Sequence, residues 1–523
     1  MHEQPENIRR KVIPRWRKLD VTPKEELAFS SQKNTSAHLQ DEFNGLLLQW
    51  QSSASVNNAA ELLYAATLGF DDPEIYHAAQ FIIESRDASP GTKRLATTCL
   101  PAVDAKNEDH TATTKTSFQI RTLKKELADY PRNAIAHVEL ARAYVLSGQT
   151  EKANHHIRIA TQLAPTSRFV LRSAGRFDVH RGDLERSLKA LANVASRDPW
   201  LAAAYVSIAD LGNRSLKKIK PIRALLDQAH DPAQISELAA ALGTLELKSS
   251  GLKKARKYFQ LSSVAPNENV VAQLYWLSKN YGVGFDEQLL SRLHAYEARA
   301  QSAASTQSWP IAIDSCWRWL DDEPFSIRPA YEGGFVASEI LHDFKTTQEF
   351  AHRGLISNPK DVGLTNNLAY SLIMDENLYA GNEHLQRAKQ LAGADERHQL
   401  ILQATEGLLC YRRGNSDEGA RLYMSAILHA HELKAQSLMH LAYLHFCFEE
   451  MRIGHAPPFL SLDQIEKVFT GPSMNKTTKA VFENMLLPML LARQKYGLVD
   501  VGHTPSAPYF ERELLSNTAD SES

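Results

Sequence analysis

The chain lacks the marks of a secreted or membrane-inserted protein. Its 523 residues include only four cysteines, which are far apart and show neither metal-ligand nor disulfide spacing: Cys99, Cys316, Cys410 and Cys447. No apolar run approaches the ~18 residues that a membrane-spanning helix needs, and charged residues stand where a signal peptide has its apolar core. We therefore expect buried thiols, a reducing cytoplasmic location and no membrane partner.

The chain also lacks an excess of charge of either sign. Lysine and arginine number 59 and aspartate and glutamate number 61, which gives a net charge of −2. Such a balance gives no overall attraction to nucleic acid or to an anionic membrane. A partner that is attracted by charge must therefore be bound by a local patch.

Catalytic and metal-binding motifs are absent as well. There is no serine elbow, no paired-carboxylate motif and no glycine-rich phosphate loop after a strand. His155 and His156 are adjacent and point apart on a helix, and the later histidines lack the four-residue spacing that shares a metal. We expect no catalytic residues, no cofactor and no metal, and therefore not an enzyme. An enzyme whose residues converge only in space would have its pocket in the irregular region near residues 270–330.

What the chain does have is a repeat. Pro131, Pro165 and Pro199 stand 34 residues apart, as do Gly148 and Gly182. Glycine ends one helix by accepting a left-handed conformation and proline cannot continue the next, so each period is predicted to hold two antiparallel helices. Stacked hairpins of this kind also let a chain longer than a single compact core fold as one array.

The first unit, residues 134–167, resembles a tetratricopeptide repeat. Its matching positions are Leu140, Ala141, Tyr144, Gly148, Ala153, Ile157, Ala160 and Pro165. The second unit, residues 168–201, matches at Ala174, Gly175, Gly182, Ser187, Leu191, Val194 and Pro199. It departs at Asp178, where the family prefers a large aromatic residue. The resemblance implies an all-α, right-handed superhelical solenoid of roughly seven to nine antiparallel helix hairpins.

The period predicts how the chain is organised. The distance from Pro266 to Pro324 is not a multiple of the period, which predicts a break where several tryptophans plug an irregular core: Trp276, Trp309, Trp317 and Trp319. The predicted parts are a basic, mobile N-terminal segment (1–35), an N-terminal helical cap (36–100), a linker (101–116), a first repeat array (117–269), an irregular helical region (270–325), a second array (326–450), a C-terminal helical cap (451–495) and a tail (496–523).

The N-terminal segment carries six cations within ten positions: Arg9, Arg10, Lys11, Arg15, Arg17 and Lys18. Such a segment can dock on phosphates or on an acidic partner. The alternative is a solvated, mobile tail, which the two prolines and the preceding acidic residues favour.

A second set of cations falls within the resemblance. Four residues of the second unit are spaced four apart and share one row of a helix: Arg168, Arg172, Arg176 and His180. The first helix of each unit lines the concave surface in the family, so with Arg142 these residues are expected to form a cationic wall. An acidic peptide, a carboxylate terminus or a phosphate would neutralise this wall. The alternatives are solvation or pairing within the protein, with Asp178, Asp183 or Glu185.

A third candidate lies in the second array. The resemblance places Asn366 and Tyr370 on the groove side of a helix, next to Asn367, and amides there can bond an extended peptide backbone. Val138 stands where the two-repeat carboxylate clamp of the family has lysine, so a chaperone-tail ligand is not indicated. The alternative is helix capping or bonding between repeats by the same amides.

Together these features predict a scaffold or adaptor that binds a protein or peptide, expected to be acidic, in a concave groove. One alternative is a regulatory subunit that controls a partner enzyme. Another is a nucleic-acid-associated protein that uses the basic N-terminal arm, whose affinity would fall steeply with salt.

Overall fold

The computed structural model describes residues 10–16, 35–66, 72–88, 92–93, 96–97, 108–216, 219–228, 231–248, 251–292, 294–471 and 474–496. All the regular secondary structure of these residues is helical. Across the same part of the chain, no helix combines the length and the apolar character that crossing a membrane requires. Cys316, Cys410 and Cys447 are free thiols, and Cys99 lies outside the described residues.

The helices described before the first repeat include α1 (Thr35–Ser52), α2 (Val56–Ala66), α3 (Pro73–Glu84) and α4 (Glu108–Asp129). The predicted linker is partly wrong, because α4 begins at Glu108 and covers residues 108–116. That stretch is polar and has no apolar period, but it contains no glycine or proline that would break a helix. Residues 101–107 of the predicted linker lie outside the described residues.

The first array consists of helix pairs at the predicted period: α5 (Ala134–Leu146) with α6 (Thr150–Leu163), α7 (Arg168–Arg181) with α8 (Leu184–Ala192), α9 (Pro199–Leu211) with α10 (Ile219–Gln228), and α11 (Pro232–Lys248) with α12 (Leu252–Ser262). Gly148 and Gly182 adopt φ of 71° and 76° at the turns, as the sequence predicts. Pro199 and Pro232 begin the next helix rather than end the previous one. Proline suits that first position because the N–H it lacks would have no partner there.

The first helix of each pair, here called an inner helix, stacks on the inner helix of the next pair. Contacts join α5 to α7, α7 to α9 and α9 to α11. The inner helices are buried on nearly every side, as in the run Leu201–Asp210 of α9, whereas the outer helix α6 buries only Ala153, Ile157 and Ala160. The fold is therefore a tetratricopeptide-like helical solenoid with an inner layer that is covered on both faces.

The break is shorter than the sequence predicts. Inner helix α13 (Glu268–Tyr281) is followed by a 3₁₀ turn at Glu287–Ser291, and then the pair α14 (Tyr296–Ser305) and α15 (Trp309–Asp322). Trp319 is buried, and the ring of Trp317 stacks on Phe350 at 3.6 Å. Trp319 therefore fills a core position, and the half-buried Trp317 packs against the core.

The remaining helices complete the solenoid: α16 (Arg328–Phe335) with a π-helical turn (Val336–Ile340), α17 (Phe344–Ser357), α18 (Val362–Met374), α19 (Leu378–Ala392), α20 (Glu396–Arg412), α21 (Ser416–Glu432), α22 (Gln436–Arg452), α23 (Leu462–Thr470), α24 (Lys476–Val481) with a π-helical turn (Phe482–Leu486), and α25 (Leu487–Tyr496). Helix α17 also touches α5. A helix from the middle of the solenoid thus lies against the first helix of the first repeat.

Candidate functional site

Residues 10–16, here called the N-terminal segment, run in non-helical conformation against the inner helices. Arg10, Val12, Pro14 and Trp16 are buried, while the residues between them are partly exposed. The side chain of Arg15 is also buried, at 5% exposure, so side chains at both even and odd positions are held. The prediction of a mobile tail is therefore wrong for residues 10–16, because their side chains have pockets that the local sequence does not reveal.

Arg10 makes the densest set of contacts. Its Nε and Nη2 donate to the two carboxylate oxygens of Glu297 at 2.8 and 2.7 Å. Its Nη1 donates to Gln273 at 3.1 Å, and its Nη2 also donates to Asn269 at 2.9 Å. This paired geometry uses the planar fork of guanidinium, which an ammonium group does not have.

Arg15 enters the same place from the other end of the segment. Its Nη2 donates to Glu297 Oε2 at 2.8 Å, and its Nη1 lies 3.6 Å from Asp322 and 3.8 Å from Glu323. We call Glu297, Asp322 and Glu323 the acidic pocket. It lies between the start of α14 and the end of α15, in the break of the array.

Glu297 and Glu323 of the acidic pocket stay ionised although they are buried. Burial alone would raise the pKa of Glu297, but the charges of Arg10, Arg328 and Arg15 outweigh burial and hold that pKa far below its usual range. Burial likewise opposes ionisation of Glu323, and Arg15 and Arg176 lower its pKa. Buried carboxylates of this kind depend on bound cations, two of which belong to the N-terminal segment.

Apolar contacts hold the rest of the segment. The ring of Trp16 lies 6.0 Å from that of Phe177 on α7 and 5.6 Å from that of Phe325 in the loop after α15. Val12 belongs to the buried cluster that includes Phe259. Gly175 leaves room at this surface, since a Cβ there would lie 3.9 Å from Pro14 and 3.1 Å from Ile208.

The protein also binds the backbone of the segment. Asn269 Nδ2 donates to the carbonyl of Ile13 at 2.8 Å, and Arg142 Nε donates to the carbonyl of Trp16 at 3.2 Å. Lys11 Nζ lies 3.2 Å from a carboxylate oxygen of Asp210. Carbonyl bonds do not depend on the ligand's side chains, so they suit any extended polypeptide.

The cationic wall is already paired within the protein. Arg172 donates to both carboxylate oxygens of Glu237 at 3.1 and 2.9 Å, and Arg168 donates to Asp198 at 2.8 Å. The guanidinium of Arg176 lies 4.7 Å over the ring of Phe325. These partners differ from those considered in the sequence, since Asp178 instead accepts from Arg186 and Ser187.

Two wall residues still belong to the site. Arg142 touches the segment directly, and His180 packs its ring 6.5 Å from Phe325. Burial and then the charge of Arg176 lower the pKa of His180 to about 4, so this side chain is neutral at pH 7. Arg172 is linked to the N-terminal segment indirectly. Its partner Glu237 also accepts a hydrogen bond at 2.9 Å from Asn269, which bonds the segment.

Asn366, Asn367 and Tyr370 lie in a separate buried cluster. All three are at most 2% exposed, and the ring of Tyr370 lies 5.6 Å from that of His445. His445 Nε2 in turn lies 2.9 Å from Glu339. The gap beside Tyr370 is too small for a ligand. In this structure these side chains form core contacts between inner helices.

Sequence reasoning missed the acidic pocket and the amides Asn269 and Gln273. No local pattern of the sequence marks these residues. No group of three or more potential metal ligands comes together among the residues that the structure describes.

Comparisons with known proteins give only distant structural likenesses. No family model matches the chain, and no curated protein matches its sequence. Solved structures similar to it include the TPR2AB domain of yeast Sti1 in a pHSP90 complex, at 14% identity over 53% of this chain and 97% of that chain, with a TM-score of 0.21. A human IFIT1 dimer with PPP-AAAA matches at 12% identity over 91% and 99%, with a TM-score of 0.32. Yeast Tom70 matches at 12% identity over 88% and 100%, with a TM-score of 0.29. Likenesses this distant carry no argument about function.

Proposed function

We propose that the protein is a binding scaffold whose inner surface takes an extended segment of a partner polypeptide. The observation that carries this proposal is the N-terminal segment, which occupies that surface through backbone bonds, through the acidic pocket that receives Arg10 and Arg15, and through the ring contacts of Trp16. Rigid inner helices hold these groups in place, so the ligand bears most of the cost of ordering.

The proposed ligand is basic, not acidic as the sequence suggested. The wall cations have carboxylate, carbonyl or aromatic partners within the chain, whereas Glu297, Asp322 and Glu323 receive guanidinium groups from the segment. Carboxylates that receive the guanidinium groups of a segment favour cationic segments over acidic ones.

Peptide exchange in an otherwise intact chain tests the proposal. A specific protease site placed within residues 20–30, outside the described residues, would allow the segment to be cut from the solenoid after folding. The cut protein is then mixed with a fluorescent peptide of residues 8–18, and binding is followed by anisotropy. We expect saturable binding that unlabelled peptide reverses, and no binding of the labelled peptide to the uncut protein at the same concentration.

A segment that never exchanges, or a solenoid that unfolds whenever the segment leaves, would show that residues 10–16 are only part of the core. The nucleic-acid alternative is tested in a parallel experiment, in which a labelled single-stranded oligonucleotide replaces the labelled peptide. Oligonucleotide binding that falls with salt and requires residues 1–20 would favour that alternative. A partner that proves to be an enzyme would make the scaffold a regulatory subunit.

A further inference from the structure

One carboxylate oxygen of the protein accepts hydrogen bonds from two arginines of the N-terminal segment, and this shared acceptor determines which segments the surface prefers. Arg10 Nη2 and Arg15 Nη2 donate to the same oxygen, Glu297 Oε2, at 2.7 and 2.8 Å. A residue inserted between them would lengthen an extended chain by about 3.3 Å, which is more than a hydrogen bond tolerates. Glu297 Oε2 therefore accepts from both arginines only when they are five residues apart.

Arginine is required at the first position for geometric reasons. Arg10 uses three nitrogens to reach Glu297, Gln273 and Asn269. A lysine has one nitrogen on a flexible stem and cannot reproduce this fork. The side chain is 7% exposed, so any acceptor left without its donor would stay away from water.

The position after the second arginine is also specified. Trp16 is 1% exposed, lies between Phe177 and Phe325, and has its carbonyl bonded by Arg142. A large aromatic ring fills this space and gains from edge-on ring contacts. The second arginine and the aromatic residue thus occupy adjacent subsites.

We propose, resting on the function proposed above, that the partner carries a basic segment with two arginines five residues apart and a large aromatic residue directly after the second. The N-terminal segment is the competitor of this partner in the same chain. It belongs to the same chain as the surface that it occupies, so its competition with a partner segment is intramolecular. Only a partner segment of higher affinity, or one presented at high local concentration, displaces it.

The test uses the cut protein and a set of competing peptides based on residues 8–18. We expect R10K and R15K peptides to compete roughly tenfold or more weakly than the native peptide, because each loses charge-assisted bonds to buried acceptors. A peptide with glycine inserted between Val12 and Ile13 keeps every side chain and changes only the spacing, and we expect it to lose at least as much. A K11R peptide keeps the cation at the position facing Asp210 and should stay within about threefold.

Two protein variants locate the effect. Glu297→Gln should reduce the difference between the native and R10K peptides, whereas Asp314→Asn, at an exposed carboxylate paired with Arg318 on α15, should leave it unchanged. Equal competition by a scrambled peptide of the same composition would overturn the two-arginine rule while leaving the peptide-binding function intact. Failure of every peptide to exchange would contradict both the two-arginine rule and the peptide-binding function. A dimer of the intact chain that forms by reciprocal docking of the segment, seen by light scattering, would assign the groove to a second copy and overturn the partner proposal.

Discussion

Arg10 and Glu297 are 287 residues apart in sequence and are joined by two charge-assisted hydrogen bonds of 2.8 and 2.7 Å. This pair connects the start of the chain to the break in the middle of the solenoid. Arg15, Arg328 and Glu323 extend it into a buried network of both signs. In such a network, removing one charge costs more than the pair itself contributes, because the remaining charges stay buried.

The first prediction concerns Glu297. Glu297→Gln keeps the shape of the side chain and leaves Arg10, Arg15 and Arg328 without their shared anion, so the free energy of unfolding should fall by about 3–5 kcal/mol. Urea denaturation followed by circular dichroism measures the change. Glu418→Gln, which breaks an exposed pair with Arg421, is the matched control and should have little effect. Equal midpoints for the two variants would contradict the role of Glu297.

The second prediction concerns docking of the segment. Trp16→Ala removes the ring from between Phe177 and Phe325, at a cost of about 3 kcal/mol, which corresponds to a roughly hundredfold higher population of the undocked segment. Trypsin cleavage after Arg10, Lys11 or Arg15 should accelerate accordingly, since cleavage tracks the open population. Tyr379→Ala removes a ring that is 83% exposed and should leave the cleavage rate unchanged. A Trp16→Ala protein that is cut no faster would show that the ring does not hold the segment.

The third prediction concerns pH. The pKa of His180 is lowered to about 4 by burial and by Arg176, against a bond with the backbone of Phe325 that raises it, whereas an unfolded histidine has a pKa of about 6.5. The unfolded chain therefore binds this proton first. The stability contribution of the neutral imidazole is complete above pH 6.5 and is lost as the pH falls towards 4, by about 1–2 kcal/mol at pH 5.

His440, whose pKa burial also lowers to about 4, contributes in the same direction. The informative measurement is therefore a difference. Between pH 7 and pH 5, the His180→Gln protein should lose less stability in urea than the wild type. Parallel losses in both proteins would rule out the assigned titration.

The fourth prediction compares how much two arginines of the cationic wall, Arg172 and Arg168, contribute to the free energy of unfolding. Arg172→Ala leaves Glu237, which is 1% exposed, without its guanidinium, whereas Arg168→Ala breaks a pair in which the arginine is half exposed. We expect Arg172→Ala to lower the free energy of unfolding by about 3 kcal/mol and Arg168→Ala by less than about 1 kcal/mol. Thermal denaturation of both proteins checks the order. Similar losses would mean that burial does not distinguish the two pairs.

The same contacts predict the effect of reversing the charge of the cationic wall. The Arg172→Glu, Arg176→Glu double variant should destabilise the first array, because it places new carboxylates beside Glu237 and Glu323. Its helicity at 25 °C should be lower than that of the wild type. Retained helicity and an unchanged melting temperature would show that the wall faces solvent.

Much of the fold was predictable because repeat geometry is local. The spacing of Pro131, Pro165 and Pro199 and the left-handed glycines Gly148 and Gly182 are consequences of turns that close within a few residues. The start of α4 was missed for the opposite reason. A polar helix without an apolar period gives no sequence signal of its own.

The site was much less predictable. The row of arginines on α7 was visible, but whether it faces a ligand or an internal carboxylate depends on Glu237, which lies 65 residues from Arg172. Likewise, the cations of the N-terminal segment look like a solvated arm until Glu297 and Asp210 are placed beside them. Charge in a sequence gives the sign of a surface and not its partner.

The sequence by itself determined the helical period, the turn positions and the all-α solenoid, because these depend on backbone conformation and on side chains within one repeat. Only the tertiary structure decided that the N-terminal segment lies against the inner helices and that the acidic pocket, not the cationic wall, receives its arginines. The reason is physical. Pairing between residues hundreds of positions apart follows from the packing of distant helices, which brings α7, α14 and α15 around one heptapeptide.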